Sequence, residues 1–164
     1  MADEFLMPGL PRPTTYFLTA GSAEGYSSLN AFDAALLNSG VGDCNLVKLS
    51  SILPPGCELV DPFAPAYGSL TPVAYASMHS FLPGEQIAAA VACAVPKDPT
   101  LPGVIMEYSA RGTAENTEEI VREMARQAFL VRKRELLEIH SISVEHRVEQ
   151  IGAIFASVVF GYGE

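Results

Sequence analysis

Strand-like segments outnumber helical segments in this chain of 164 residues. They are short apolar or alternating runs that end near proline, glycine or asparagine, which interrupt regular structure. Strands are predicted over 14–20, 45–53, 71–79, 104–109, 142–148 and 151–160. A chain with this balance forms sheets that are covered by one or two helices. We therefore expect one α+β domain over residues 1–164, long enough to bury a hydrophobic core.

Two segments have helical periodicity. The first is capped by Ser28 and ends at Asn38-Ser39-Gly40. Its predicted apolar face carries Leu29, Phe32, Leu36 and Ala35. The second begins with a capping-box-like pair, Asn116 and Glu119. Its predicted apolar face carries Ile120, Met124, Ala128 and Val131.

The segments between these elements are less regular. Residues 1–13 and 56–68 are rich in proline and are predicted to be an N-terminal arm and a loop, while Gly21 and Gly25 bracket a predicted turn. The run 87–95 is ambiguous from its composition. Alanine favours helix, but about nine apolar residues between turn signals also suit a buried strand.

Composition excludes several classes of function. A formal net charge of −9 argues against nucleic acid as a partner, because phosphates attract basic patches. We expect no membrane span, because no apolar run approaches about 18 residues. The widely spaced Cys44, Cys57 and Cys93 predict neither a disulfide framework nor a zinc site. With no secretory signal visible, the expected location is the cytoplasm.

The candidate reactive segment is the predicted strand 45–53, which ends at Pro54-Pro55. The three histidines lack metal-type spacing, and the sequence holds no nucleophile elbow, phosphate loop or dinucleotide fingerprint. Side chains alternate along a strand, so Asn45 and Ser51 lie on the same face. This pattern alone also fits an ordinary strand that ends in small polar residues.

Segments along almost the whole chain resemble the pyruvoyl-dependent arginine decarboxylases. The resemblance covers 20–25 (Ala-Gly-Ser-Ala-Glu-Gly), 29–38, 42–55, 83–85 (Pro-Gly-Glu), 95–98 (Val-Pro-Lys-Asp), 105–108 (Ile-Met-Glu-Tyr), 121–125 and 143–146. The N-terminal arm and the loop after Cys57 do not share it. The resemblance implies a four-layer αββα sandwich, with 87–95 as a buried strand. It also implies a homotrimer of processed protomers, with each active site between two protomers.

In that family the proenzyme cuts itself between two serines, which correspond here to Ser50 and Ser51. The resemblance therefore implies two chains, 1–50 and 51–164. The Ser51 hydroxyl attacks the preceding carbonyl, a reaction favoured by proximity, and Ser51 becomes a covalent pyruvoyl group. The amide of Asn45 would stabilise the oxyanion, an effect of about 3 kcal/mol in comparable sites. No metal and no pyridoxal phosphate are implied.

The resemblance also assigns the substrate contacts. Glu107 would return a proton to the α-carbon after carbon dioxide leaves L-arginine to give agmatine. Asp33 would bind the guanidinium. Leu29, Leu36 and Ile105 would line the methylenes. Two alternatives stay open: the same chemistry on histidine or another amino acid, and an unprocessed homologue that serves as a structural or regulatory subunit.

Overall fold

The computed structural model describes residues 11–163, which form nine strands and two helices. In chain order these are β1 (Thr15–Glu24), α1 (Ser28–Asn38), β2 (Asn45–Lys48), β3 (Ile52–Leu53), β4 (Glu58–Leu59), β5 (Leu70–Ser80), β6 (Gln86–Pro96), β7 (Gly103–Arg111), α2 (Ala114–Arg132), β8 (Leu136–Arg147) and β9 (Gly152–Gly161). Neither helix is long and apolar enough to cross a membrane.

The strands form two packed sheets. One has five strands in the order β2-β5-β9-β1-β4, and the other has four in the order β3-β7-β6-β8. Helix α1 packs on β1 and β9, whereas α2 packs on β6, β7 and β8. The layers are therefore helix, sheet, sheet, helix, which confirms the predicted α+β fold and its αββα layering.

The alanine-rich run is a strand at the centre of the second sheet. On β6, Ile87, Ala89, Val91 and Cys93 face the core between the sheets. Ala90, Ala92 and Ala94 face α2. Strand β6 pairs with β7 on one side and β8 on the other. Helix propensity is overridden because both faces of the run are covered and both of its edges are hydrogen-bonded.

The predicted turn at Gly21 and Gly25 is wrong over its first half. Strand β1 continues through Gly21 to Glu24 and pairs with β9 along this whole length. A Cβ atom on Gly21 would lie 2.5 Å from the carbonyl oxygen of Ala35. This glycine therefore permits close packing of α1 on β1 rather than a change of chain direction.

The helix starts and faces differ from the predictions. The N-caps are Ser27 and Thr113 instead of Ser28 and Asn116. On α1 the most buried residues are Ala31 and Ala35. On α2 they are Thr117, Val121, Ala125, Ala128 and Phe129. Three residues predicted to face the core are exposed: Leu29 (73%), Ile120 (43%) and Val131 (81%). On α1 the residues most buried against the sheet are alanines, whereas α2 also buries Val121 and Phe129.

The predicted strand 45–53 divides in two. Its first part, β2, lies parallel to β5 in the five-stranded sheet. Its second part, β3, pairs with β7 in the four-stranded sheet. Residues 49–51 cross from one sheet to the other. The predicted loop 56–68 is irregular except for the short strand β4.

Candidate active site

The crossover 49–51 is anchored to both sheets by backbone hydrogen bonds. The N–H of Leu49 donates to the Val73 carbonyl at 2.9 Å, and the Ser51 carbonyl accepts from the Ile105 N–H at 2.9 Å. Ser51 has a φ of 80°, a left-handed conformation that non-glycine residues rarely adopt. The peptide bond between Ser50 and Ser51 thus lies in a strained segment held at each end by a different sheet.

The Ser51 side chain lies against Glu107. Ser51 is 8% exposed, and its hydroxyl donates to Oε1 of Glu107. Glu107 is placed by β7, opposite Val91 of β6, and is partly buried between the sheets. Burial raises the pKa of Glu107 above its ordinary value, although the Ser51 hydroxyl and the Lys48 charge act in the opposite direction. The carboxyl can therefore stay protonated at a higher pH than an exposed glutamate.

Lys48 and Tyr75 lie near the crossover, on the α1 side of the five-stranded sheet, and were not singled out in the sequence. Lys48 is the last residue of β2, and its ammonium lies over the Tyr75 ring, 4.4 Å from the ring centroid. The signal available was a lone cation two residues before the paired serines. Tyr75 carried no sequence signal, because only the pairing of β2 with β5 brings it there.

Asn45 is not brought to Ser51 within one chain. Its amide donates to the Gly68 carbonyl at 2.9 Å, and its side chain is exposed. At about 3.3 Å per residue, Asn45 lies roughly 13 Å from Leu49 along the extended strand. Asn45 therefore makes its contact at the opposite end of β2 from the crossover.

The predicted substrate-binding residues lie in two places. Asp33 and Leu29 are exposed on α1, and Leu36 packs partly against the core under that helix. A groove of about 270 Å³ beside Leu29 reaches Tyr75 on β5. Ile105 is 1% exposed in the core, and its backbone supports Ser51. One chain therefore joins Ser51 with Glu107 and Ile105, and displays Asp33 and Leu29 on a separate surface.

A second cavity of about 870 Å³ lies at the other side of the sandwich, near β8 and the segment that follows β4. Its lining includes Asp61, Arg122 and His140 but none of the predicted site residues. Ser51 and Glu107 lie instead toward the opposite edge of the sandwich, where β2 and β3 are.

Known proteins similar to this chain share one family description. The family model described as pyruvoyl-dependent arginine decarboxylase matches residues 15–163. A pyruvoyl-dependent arginine decarboxylase of Methanocaldococcus jannaschii is 48% identical over 150 residues, covering 92% of this chain and 91% of the relative. One from Pyrococcus abyssi is 41% identical over 154 residues, covering 92% and 97%.

The fold is also similar to a solved structure, a pyruvoyl-dependent histidine decarboxylase at pH 8. The TM-score is 0.50 with 19% sequence identity, over 61% of this chain and 53% of the other. At this identity the likeness concerns the fold alone.

Proposed function

We infer that this chain, which belongs to the family of pyruvoyl-dependent arginine decarboxylases, cuts itself between Ser50 and Ser51 and then decarboxylates L-arginine to agmatine. The observation that carries the proposal is the hydrogen bond from the Ser51 hydroxyl to Glu107 at the strained crossover. It joins a nucleophile to a proton acceptor beside the peptide bond that the family cuts.

Self-cleavage uses groups that are already in contact. Glu107 accepts the hydroxyl proton while Oγ of Ser51 attacks the Ser50 carbonyl carbon. The C–N bond breaks and an ester forms, with the proton passing to the Ser51 nitrogen. Loss of the Cα proton then breaks the Cβ–Oγ bond and releases Ser50 as a carboxylate. Water converts the remaining dehydroalanine to a pyruvoyl group with loss of ammonia.

The surroundings of Ser51 fit such a group. Its backbone carbonyl is fixed by the Ile105 N–H, and its side chain is buried beside one carboxyl group. A pyruvoyl group supplies a ketone that condenses with the substrate amine and accepts the electrons released with carbon dioxide. Glu107 then donates a proton to the α-carbon, a task suited to a carboxyl whose pKa is raised by burial.

We propose that the arginine site is completed by an adjacent protomer of a homotrimer. Asp33, Leu29 and Asn45 are exposed and lie apart from Ser51 in their own chain. Exposed apolar side chains occur on or next to the same elements: Tyr26 (93%) shortly before α1 and Val47 (42%) on β2. An adjacent protomer that covers this surface would let Asp33 pair with the guanidinium, Leu29 and Leu36 contact the methylenes, and Asn45 donate to the oxyanion.

The test is electrophoresis and mass spectrometry of the purified protein. We expect two chains, 1–50 and 51–164, with a pyruvoyl N-terminus on the longer one. Ser51→Ala should remain one uncut, inactive chain. The matched control is Ser50→Ala, which keeps the nucleophile and should still be cut. Cutting of Ser51→Ala would refute the assigned nucleophile, and one uncut, inactive wild-type chain would favour the non-catalytic homologue.

Substrate identity requires its own assay. The mature protein should release carbon dioxide from L-arginine, and lysine should be a poor substrate because its point charge cannot pair in a bidentate manner with Asp33. Preference for histidine or a neutral amino acid would contradict the assignment of arginine as the substrate, but it would leave the proposed cleavage mechanism intact.

A further inference from the structure

Helix α2 carries two apolar stripes, and its own sheet covers only one of them. The covered stripe consists of Thr117, Val121, Ala125, Ala128 and Phe129. The second is the face that the sequence predicts to be apolar, with Ile120, Met124 and Val131. These three residues line an open groove of about 560 Å³ beside Met106 of β7. The remaining residues of the groove are Glu123, Gln127, Ala128 and Arg132. An exposed apolar groove of this kind marks an interaction site.

The second stripe has the spacing of a helix that packs against another helix. Ile120, Met124, Gln127 and Val131 follow one another at intervals of four, three and four residues. A repeat of about 3.5 residues keeps one face of a helix toward a helical partner. Met124 and Met106 have unbranched side chains that adapt to a facing surface. The spacing therefore favours a helix as the occupant of the groove.

The charges in the groove select the direction of that helix. Glu123 and Arg132 both line the groove, nine positions apart on α2. At a rise of 1.5 Å per residue they are separated by roughly 13–14 Å along the helix, so they do not pair with each other. Glu123 contacts Arg126 and Gln127 at the surface. Within the described part of the chain, the Arg132 guanidinium donates only to the Ala128 carbonyl, at 3.1 Å. Arg132 can therefore pair with a carboxylate from outside the chain.

A second copy of α2 supplies that carboxylate when the two helices are antiparallel. Pairing Glu123 with Arg132 of the partner subunit places Met124 opposite the partner's Val131 and Gln127 opposite the partner's Ala128. The same contacts then occur twice, once in each direction, as a two-fold contact requires. We propose that this groove binds the same groove of a second copy of the chain, with the two α2 helices antiparallel across a two-fold axis. This contact is distinct from the proposed trimer, whose protomers are related by a three-fold axis.

The first experiment measures the mass of the assembly in the uncut Ser51→Ala protein, so it does not depend on cleavage. Native mass spectrometry should give an even number of copies. Val131→Glu should halve that number, because an unpaired carboxylate would enter the apolar groove and raise the dissociation constant by roughly 10²- to 10³-fold. The matched control is Leu130→Glu, which places the same charge on the next exposed residue, outside the groove. An odd number of copies, or an unchanged mass in Val131→Glu, would overturn the proposal.

The second experiment tests the antiparallel register by exchanging charges. Glu123→Arg and Arg132→Glu should each weaken the association by about tenfold, because each change acts twice in a two-fold contact. The double variant should restore the wild-type dissociation constant, measured by sedimentation equilibrium. Restoration must arise between copies, because the two positions are too far apart within one helix. Circular dichroism checks that each variant is folded. A double variant that associates no better than the single variants would overturn the two-fold contact and indicate another occupant, such as the adjacent protomer of a trimer.

Discussion

Strand β6 and the crossover 49–51 belong to the same sandwich, but the two segments are held in opposite ways. Every residue of 87–94 is fully buried, and β6 is paired along both edges. The crossover is held by one backbone hydrogen bond toward each sheet and contains a left-handed serine. Because β6 pairs with β7, it fixes the position of Glu107 opposite Val91. Rigidity in one region thus allows strain and reactivity to persist in the other.

Glu107→Gln should give the largest change after the loss of the nucleophile. The amide keeps the shape but can neither accept the Ser51 proton nor donate an acid proton. Decarboxylation by cut protein should fall about 10²- to 10⁴-fold, and cleavage itself should slow. The control Glu119→Gln alters an exposed carboxylate on α2 and should leave both rates unchanged. Normal cleavage with lost turnover would assign the base of self-cleavage to another group.

Asp33→Asn should separate the crossover chemistry from substrate recognition. Loss of one partner of a charge-assisted pair costs about 2–5 kcal/mol. The specificity constant for arginine should fall by roughly one to three decades, with cleavage unaffected. Steady-state kinetics and electrophoresis measure the two effects, and Asp61→Asn is an exposed loop control. A cleavage defect in Asp33→Asn would show that the two regions are coupled during maturation.

Ala90→Leu should affect the regular strand alone. Ala90 is fully buried against α2, so three extra carbons must displace neighbours at a cost of about 1–3 kcal/mol. In the uncut Ser51→Ala protein this should lower the melting temperature by about 2–4 °C for each kcal/mol. Ala66→Leu, in the exposed loop, should have little effect. A normal melting temperature would contradict the close packing of β6.

The smallest expected effect tests the strain at the crossover. Ser51→Gly and Ser51→Ala both remove the hydroxyl, so neither chain should be cut. Glycine adopts a φ of 80° without a steric penalty, so the glycine variant should be about 1 kcal/mol more stable. Urea unfolding measures the difference. At an unstrained strand position the alanine variant would be the more stable of the two. Greater stability of Ser51→Ala would therefore contradict the strain at residue 51.

The sequence predicts most of the elements, and its errors have one physical origin. Local patterns identified β5, β7 and β9 within a few residues and the helix that ends at Asn38. They did not predict the division of 45–53, because the two halves pair with strands distant in the sequence. The helix faces were right only in part: Ala35 and Ala128 are buried as predicted, whereas Leu29, Ile120 and Val131 are exposed.

The candidate site was predictable only in part. The resemblance named Ser51 and Glu107, and the structure brings them into contact. Lys48 and Tyr75 were missed because only the pairing of β2 with β5 aligns them. The roles of Asp33 and Asn45 stay predictions, because a single chain holds them away from Ser51.

The ten-residue ladder between β1 and β9 affects how a protomer can refold before and after the proposed cut. Strand β1 belongs to residues 1–50 and β9 to residues 51–164, so the proposed cut would leave two interlaced polypeptides without a covalent link. The precursor can refold at any dilution, whereas the mature protomer must find its other half, and its recovery would depend on concentration. The sheets would thus assemble from a single chain before the cut, and denaturation after the cut would separate the two chains.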